Sequence, residues 1–192
     1  MTDADRRSGP AVPRVRLVDL TAGVLTALAD GDLAKAGELA GVEFGPEFLA
    51  ERWLWDFRLA QLTEDPGRAG WLTYAVVDAG ADAGQGRPRA VGNGGYHGPP
   101  DADGMVEIGY AIHPDRRRRG YGRATVAELL RRAAALPEVA TVRAAIRPDN
   151  AASLATIAGF GFAHVGEQWD EIDGLEYIYE RPATDFPRDR ET

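Results

Sequence analysis

The chain has 192 residues, of which 44% are hydrophobic and 27% are charged, and its formal net charge at pH 7 is −8. This composition fits one soluble globular domain, and the acidic balance argues against nucleic acid as the main partner. The absence of cysteine excludes disulfides, thiolate nucleophiles and cysteine metal sites. The three histidines are scattered along the chain, so we expect no histidine-rich metal site. No apolar run approaches the ~20 residues that cross a bilayer, and the first residues lack the apolar core of a signal peptide. We therefore expect a cytoplasmic protein without membrane contact.

The first half of the chain predicts one strand, a helical region and three meandering strands. Residues 1–14 are polar and are expected to be a disordered extension. Alternating apolar and charged positions predict a strand over residues 15–20, and an Ala/Leu pattern predicts one or two helices over 21–41. A further helix, opened by Pro46, is predicted over residues 48–62. Strands then follow over residues 71–77, 90–96 and 105–112.

The second half alternates helices with single strands. It predicts an amphipathic helix after residue 120, a strand over 142–146, a short helix from 148, and strands over 162–169 and 175–179. Residues 184–192 are expected to be a flexible tail. The order predicts a single α/β (α+β) domain over residues 15–183, with a central mixed, mostly antiparallel sheet of about six or seven strands flanked by about four helices.

Residues 107–123 join a predicted strand to a predicted helix through four consecutive arginines and two glycines. Backbone amides at a helix N-terminus bind anions, and glycines there let a phosphate approach closely. The segment therefore predicts a site for the phosphates of a nucleotide-like cofactor. A P-loop does not fit, because Arg123 stands where lysine is needed after Gly122. A dinucleotide loop does not fit either, because Thr125 stands in place of its third glycine.

The pattern Arg117-x-x-Gly120-x-Gly122 closely resembles the acetyl-CoA signature of the GNAT superfamily of N-acetyltransferases. The sequence Glu-Ile-Gly-Tyr-Ala-Ile-His-Pro before it agrees with that family, and so do the Asn-x-x-Ser and Gly-Phe pairs after the next strand. The resemblance covers most of residues 15–183. It implies the GNAT fold, acetyl-CoA as the acyl donor and no metal.

The resemblance also implies a set of cofactor contacts. Backbone groups of Ala111 and Ile112 would bind the pantetheine arm as an added strand would pair. The pyrophosphate would be surrounded by residues of the loop and the first helical turn, namely Arg117, Arg118, Arg119, Gly120, Tyr121, Gly122 and Arg123. Asn150 and Ser153 would lie near the pantetheine or the thiol. A plain helix cap, which is compatible with that role, is the other interpretation of these two residues.

Acetyl transfer to an amine needs a base, because a lysine-like amine is protonated at pH 7. Glu107 resembles the catalytic glutamate that some family members place on this strand, and it shares a strand face with Gly109 and Ala111. We expect Glu107 to be the general base for direct attack of the amine in a ternary complex. An ion-paired or solvated strand carboxylate is the alternative.

One position departs from the family pattern. Many relatives carry a tyrosine, the general acid, seven residues after Asn150, where this chain has Ile157. The loss of that tyrosine together with Asn-x-x-Ser is similar to the ribosomal-protein N-terminal acetyltransferase branch. The same loss favours an alternative function, a catalytically silent acyl-CoA-binding module with a sensory or regulatory role.

The acceptor side is less determined by the sequence. Trp53 and Trp55 lie on a predicted helix that carries bulky residues around most of its circumference. We expect them to line the acceptor cleft, with core packing as the alternative for each. The expected acceptor is a primary amine, either a peptide N-terminus or a small molecule, and a homodimer is a further expectation because family members often pair.

Overall fold

A computed structural model of the chain describes residues 13–80 and 86–185. The predicted extension falls mostly on residues 1–12 and the predicted tail mostly on 186–192, which lie outside the described residues. Pro13 and Arg14 already belong to the folded part, since the Arg14 carbonyl accepts a hydrogen bond from the amide of Ala79 at 2.8 Å.

The described residues form seven strands and five α-helices. The strands are β1 (Val15–Asp19), β2 (Tyr74–Asp78), β3 (Ala90–Tyr96), β4 (Met105–Ile112), β5 (Thr141–Ile146), β6 (Ala163–Asp170) and β7 (Gly174–Pro182). The helices are α1 (Ala22–Asp30), α2 (Leu33–Ala40), α3 (Arg52–Glu64), α4 (Tyr121–Ala135) and α5 (Ala151–Ile157). The predicted single α/β domain is confirmed. It has one helix more than expected because the stretch over 21–41 divides at Gly31, whose φ of 82° ends α1.

The strands form one sheet in the order β1-β2-β3-β4-β5-β7-β6. Every neighbouring pair is antiparallel except β4 and β5, which are parallel. These two strands pair only where Met105–Glu107 lie beside Thr141–Arg143. Beyond that point β4 pairs only with β3, and β5 pairs only with β7. The sheet therefore opens between β4 and β5.

Two apolar clusters pack on the two faces of this sheet. One places α4 and α5 against one face, with Ile108 and Leu129 near its centre. The other places α1, α2 and α3 against the opposite face of β2 and β3, with Leu28 and Val77 fully buried. Burial of each such side chain contributes roughly 1.5–3 kcal/mol, so the helices hold the sheet from both sides. Among the described ranges, no helix is long and apolar enough to span a bilayer.

Two polar contacts fix α4 over the sheet. The Tyr96 hydroxyl of β3 donates a hydrogen bond to the Leu129 carbonyl at 2.8 Å, and burial raises the pKa of Tyr96, so the hydroxyl stays protonated. Near the end of α4, Arg132 donates to the Leu17 carbonyl of β1 at 2.9 Å and lies 4.8 Å from the centre of the Tyr74 ring. Helix α4 is thereby attached to the sheet edge as well as to its centre.

Glu128 holds Arg132 in this position. Its carboxylate accepts hydrogen bonds from Arg131 at 2.7 Å and from Arg132 at 3.0 Å. Burial alone would raise the pKa of Glu128, but the two guanidinium groups keep it below its usual value. Since this pKa is lower in the native than in the unfolded state, the interaction stabilises the fold above the unfolded-state pKa. It is lost as the pH falls through the native pKa.

We expect Glu128→Gln to lower the free energy of unfolding at neutral pH by about 1 kcal/mol. The difference from the wild type should shrink as the pH falls below about 4, where the carboxyl takes up its proton. Urea unfolding at a series of pH values measures both effects. Glu138→Gln, at an exposed position after α4, is the matched control. A difference for Glu128→Gln that stays constant with pH would contradict the assignment.

Candidate functional site

The opening between β4 and β5 is a cavity of about 400 Å³. Its lining includes side chains from both parted strands, from the segment after β3, and from the start of α5: His97, Glu107, Tyr110, Arg147, Asn150 and Ser153. A second depression of about 370 Å³ lies beside α2 and contains none of the residues that the sequence singled out. The parted strands therefore bring Glu107, Asn150 and Ser153 into one place.

The backbone of β4 offers hydrogen-bonding groups to this cavity at alternate residues. The amide of His97 donates to the Glu107 carbonyl, and the amide of His113 donates to the Val91 carbonyl. In an antiparallel ladder this pattern turns the odd-numbered residues of β4 towards β3 and the even-numbered ones away from it. The backbone groups of Tyr110 and the amide of Ile112 therefore point to the side from which β5 has moved away, whereas the carbonyl of Ile112 already accepts a hydrogen bond from Arg117.

This geometry corrects the expectation for Ala111. Its register partner in β3 is Asn93, and its carbonyl lies so close to β3 that a Cβ added at Gly92 would be 2.1 Å from it. The backbone of Ala111 is thus used within the sheet. Tyr110, one residue earlier, takes its place beside Ile112 as a backbone group that faces the cavity.

The loop before α4 leaves a series of amides unused. Gly120 is the N-cap of α4, and its φ of 86° is a left-handed conformation that favours glycine. Arg118, with φ of 59°, is the one non-glycine residue with positive φ in the described part of the chain. Among the described residues, no acceptor is found for the amides of residues 118–123. Such a turn into a helix N-terminus forms an anion-binding concavity.

Gly122 is not required by packing within the protein. A Cβ added there would make only ordinary contacts, at 3.6 Å from Tyr110 and 3.7 Å from Thr156. Gly122 is the second residue of α4 and is one of the residues whose amides are unused. A glycine that the fold itself does not require is expected where an outside group must approach the backbone closely.

The arginine side chains of the loop divide into two groups. Arg117 donates from Nε to the Ile112 carbonyl at 2.8 Å. Arg123 donates to the Ala158 carbonyl at 3.2 Å, and its guanidinium lies 4.6 Å from the centre of the Phe160 ring. Both side chains therefore already shape the loop and the end of α5.

Arg118 and Arg119 are exposed, and no hydrogen-bond acceptor for their side chains is found in the described ranges. These two side chains are the ones in position to meet an anion. Tyr121 attaches the start of α4 to β2, because its hydroxyl donates a hydrogen bond to a carboxylate oxygen of Asp78 at 2.5 Å. Burial, and then that carboxylate, raise the pKa of Tyr121.

Glu107 lies at the point where β4 and β5 part. Its side chain is only 18% exposed, and its Oε1 is 3.0 Å from Nδ1 of His97. No other ion-pair or hydrogen-bond partner of this carboxylate is found among the described residues. The second oxygen is therefore open to a ligand in the cavity.

The start of α5 confirms the helix-cap interpretation of Asn150. Its side-chain oxygen accepts a hydrogen bond from the amide of Ser153 at 3.1 Å, and both residues also line the cavity. Tyr110 packs beside them. Burial raises the pKa of Tyr110, and the nearby hydroxyl groups of Ser153 and Thr156 oppose that rise only in part.

The exposure of three further side chains bears on the predicted acceptor cleft and on the missing acid. Trp55 is fully buried, and its indole donates to the Phe48 carbonyl at 2.8 Å. It belongs to the core and presents no surface to an acceptor, so the expected role of Trp55 is wrong. Trp53 is 67% exposed but does not line the cavity. Ile157 is buried in the core and supplies no acid.

The turn between β6 and β7 brings acidic side chains to the cavity. Asp170, Asp173 and Glu176 line it, while Arg147 on the β5 side is already paired with Asp149 at 3.0 Å. Asp170 accepts hydrogen bonds from two backbone amides of the turn at 2.7 and 2.8 Å. These bonds lower its pKa and keep it charged. No cluster of three or more metal-binding side chains occurs in the described ranges.

Sequence reasoning missed His97 and the backbone of Tyr110. The signal for Tyr110 was available, because strand alternation places only every second residue on the free side of β4. His97 had no local signal, since it follows β3 and reaches Glu107 only through the pairing of β3 with β4.

Comparison with known proteins agrees with this geometry. The model of the family described as "Acetyltransferase (GNAT) domain" matches residues 23–163. The uncharacterized N-acetyltransferase YjdG from Bacillus subtilis (strain 168) is 36% identical over 72 residues, which make up 38% of this chain and 43% of YjdG. The chain thus aligns with less than half the length of that relative.

Solved structures share the fold at low sequence identity. RimJ from Mycobacterium smegmatis in complex with CoA-disulfide matches with a TM-score of 0.59 and 19% identity, over 91% of this chain and 84% of that one. The ribosomal-protein-S5-alanine acetyltransferase from Vibrio fischeri matches with a TM-score of 0.58 and 18% identity, over 90% of this chain and 94% of that one. Since the family model matches well over half of the chain, including β2 to β5, the loop before α4 and the whole of α5, the chain belongs to the GNAT family of acetyltransferases.

Proposed function

We propose that the protein transfers the acetyl group of acetyl-CoA to a primary amine by direct attack in a ternary complex, with Glu107 as the general base. The observation that carries this proposal is the position of Glu107. It is a mostly buried carboxylate with one free oxygen, inside the cavity that the parting of β4 and β5 creates. A base must lie within hydrogen-bond reach of the proton it removes, and this opening admits both a cofactor arm and an amine.

The residues present fit acetyl-CoA, which supplies an activated acetyl thioester. The amides of residues 118–123 and the space beside Gly122 suit a pyrophosphate. The guanidinium groups of Arg118 and Arg119 add positive charge. The backbone groups of Tyr110 and the amide of Ile112 suit a pantetheine arm that pairs as a short strand. Asn150 and Ser153 complete the wall nearer the thioester.

The chemical role of Glu107 follows from the charge of the acceptor. A primary amine in water is largely protonated near pH 7, so it becomes a nucleophile only after losing a proton. Glu107 accepts that proton at its free oxygen, the amine nitrogen bonds to the acetyl carbon, and the carbon–sulfur bond breaks. The departing thiolate needs a proton, and Ile157 supplies none, so water is the proposed donor.

The acidic side chains of the β6–β7 turn support a positively charged acceptor. Asp170, Asp173 and Glu176 lie on the same cavity as Glu107, and their field favours the approach of an ammonium group. A peptide N-terminus and a small amine both carry that group. The likeness to the S5-alanine acetyltransferase favours testing a peptide N-terminus first, and exposed Trp53 remains a proposed contact for such a peptide outside the cavity.

We expect Glu107→Gln to lower kcat for acetyl transfer at least about 100-fold, because glutamine keeps the shape but accepts no proton. The measurement is release of free CoA thiol from acetyl-CoA with a panel of peptide and small-molecule amines. The matched control is Glu167→Gln, an exposed position on β6, which should leave the rate unchanged. Full activity in Glu107→Gln would exclude the proposed base.

The same assay tests the silent-module alternative, which the buried Ile157 favours. That alternative requires that the wild-type protein binds acetyl-CoA but releases no thiol above the uncatalysed rate with any amine of the panel. Turnover with any one amine would support the acetyltransferase and exclude the silent module.

We expect Gly120→Ala to weaken CoA binding about tenfold, since a left-handed conformation costs an alanine roughly 1–2 kcal/mol and the reshaped loop withdraws its amides. The added Cβ would also lie 2.8 Å from Pro13. Isothermal titration with CoA measures the affinity. Gly41→Ala is the control: Gly41 ends α2 with φ of 68° and has nothing within 4 Å of an added Cβ, so it introduces similar strain far from the loop. Equal loss of CoA affinity in both variants would contradict a role of Gly120 at the phosphates.

A further inference from the structure

We propose that His97 is a positioning residue for Glu107, and that the absence of a side chain at Gly109 leaves room for the imidazole of His97. The inference rests on the proposed function of Glu107 as the base. It assigns to the segment after β3 a part in the chemistry that neither the sequence motif nor the family likeness indicates.

The first observation is the contact itself. Nδ1 of His97 lies 3.0 Å from Oε1 of Glu107, within hydrogen-bond distance, and the amide of His97 donates to the Glu107 carbonyl at 2.9 Å. The two residues are thus opposed across β3 and β4 through backbone and side chain together. With Oε1 occupied by the imidazole, the carboxylate is held in one orientation and Oε2 is the oxygen left for an amine.

The second observation is the space over Gly109. A Cβ added there would lie 2.9 Å from Nε2 of His97 and would meet no other group within 3.5 Å. Gly109 is on the same face of β4 as Glu107, and its φ is not in the left-handed region. Backbone conformation therefore does not require glycine at this position. The imidazole is what a side chain at this position would meet, so a larger residue at 109 would displace it.

The third observation is charge on the far side of the imidazole. Besides Glu107 of β4, the carboxylate of Asp170 at the end of β6 interacts electrostatically with His97. The imidazole, the carboxylate of the proposed base and an acidic side chain of the β6–β7 turn therefore line the same cavity.

Exposure is consistent with this role. The side chain of His97 is 52% exposed whereas that of Glu107 is 18% exposed. A histidine needed only for stability would be expected deeper in the core, as His113 is.

The test compares His97→Ala with His97→Asn, whose side-chain amide can donate near the position of Nδ1. We expect His97→Ala to lower kcat about 10- to 100-fold through loss of orientation, with the affinity for CoA unchanged. His97→Asn should recover most of kcat. The KM for acetyl-CoA should stay unchanged in both variants, so that the loss appears in kcat alone.

Gly109→Ala provides an independent arm. It should lower kcat in the wild type by displacing the imidazole, but cause no further loss when combined with His97→Ala, because the group it displaces is absent. An equal loss in both backgrounds would mean that the methyl group obstructs the cavity itself, and this result would overturn the assignment of Gly109.

Two other outcomes overturn the role of His97. One is a wild-type kcat in both His97 variants. The other is a His97→Asn variant that is as inactive as Glu107→Gln. An amide can hold a carboxylate but cannot accept a proton, so this result would mean that His97 itself takes up the proton. Failure of the underlying proposal is distinguishable, because it appears as an active Glu107→Gln, whatever the His97 variants do.

Discussion

The site depends on one constraint, the short pairing of β4 with β5. The strands share hydrogen bonds only over Met105–Glu107 and Thr141–Arg143, and each then keeps a single partner. If the pairing continued, the backbone groups of Tyr110 and Ile112 would be used within the sheet and the cavity would close. The parting leaves them without strand partners, and unpaired backbone groups at a sheet edge bind an extended ligand. Glu107 lies at the last paired position, so its carboxylate is held by the paired part of the sheet and lines the open part.

Charge is arranged around this opening with opposite signs in different places, although the chain as a whole is acidic. The loop before α4 supplies amides and the guanidinium groups of Arg118 and Arg119, whereas the β6–β7 turn supplies Asp170, Asp173 and Glu176. An anion and a cation would therefore each be attracted to a different part of the site. The net charge of −8 gives no indication of the basic loop. Only the local clustering of arginines indicates it.

Local patterns predicted what local interactions decide. The strand over residues 105–112, the helix start after Gly120 and the cap at Asn150 depend on residues close in sequence, and all three are present in the structure. The remaining features depend on pairing across the sheet. Burial of Trp55 follows from packing between the helical layer and the sheet, and the contact between His97 and Glu107 follows from the register of β3 on β4. Neither periodicity nor motif spacing carries that information.

The face of β4 that carries Glu107 is polar because the first helical layer does not cover it with apolar side chains. The apolar cluster of α1–α3 reaches the strands as far as Ala90. Beyond it, Asn93 donates to Glu51 at 3.0 Å, and buried His113 lies 3.5 and 3.6 Å from the carboxylates of Glu47 and Glu51. Buried polar groups of this kind are tolerated only when their partners are close. The contacts of His97 with Glu107 and of His113 with Glu47 and Glu51 therefore place polar groups along this face of β4 to its end. The ring nitrogens of His113 are close to these carboxylates but have no hydrogen-bond partner among the described residues.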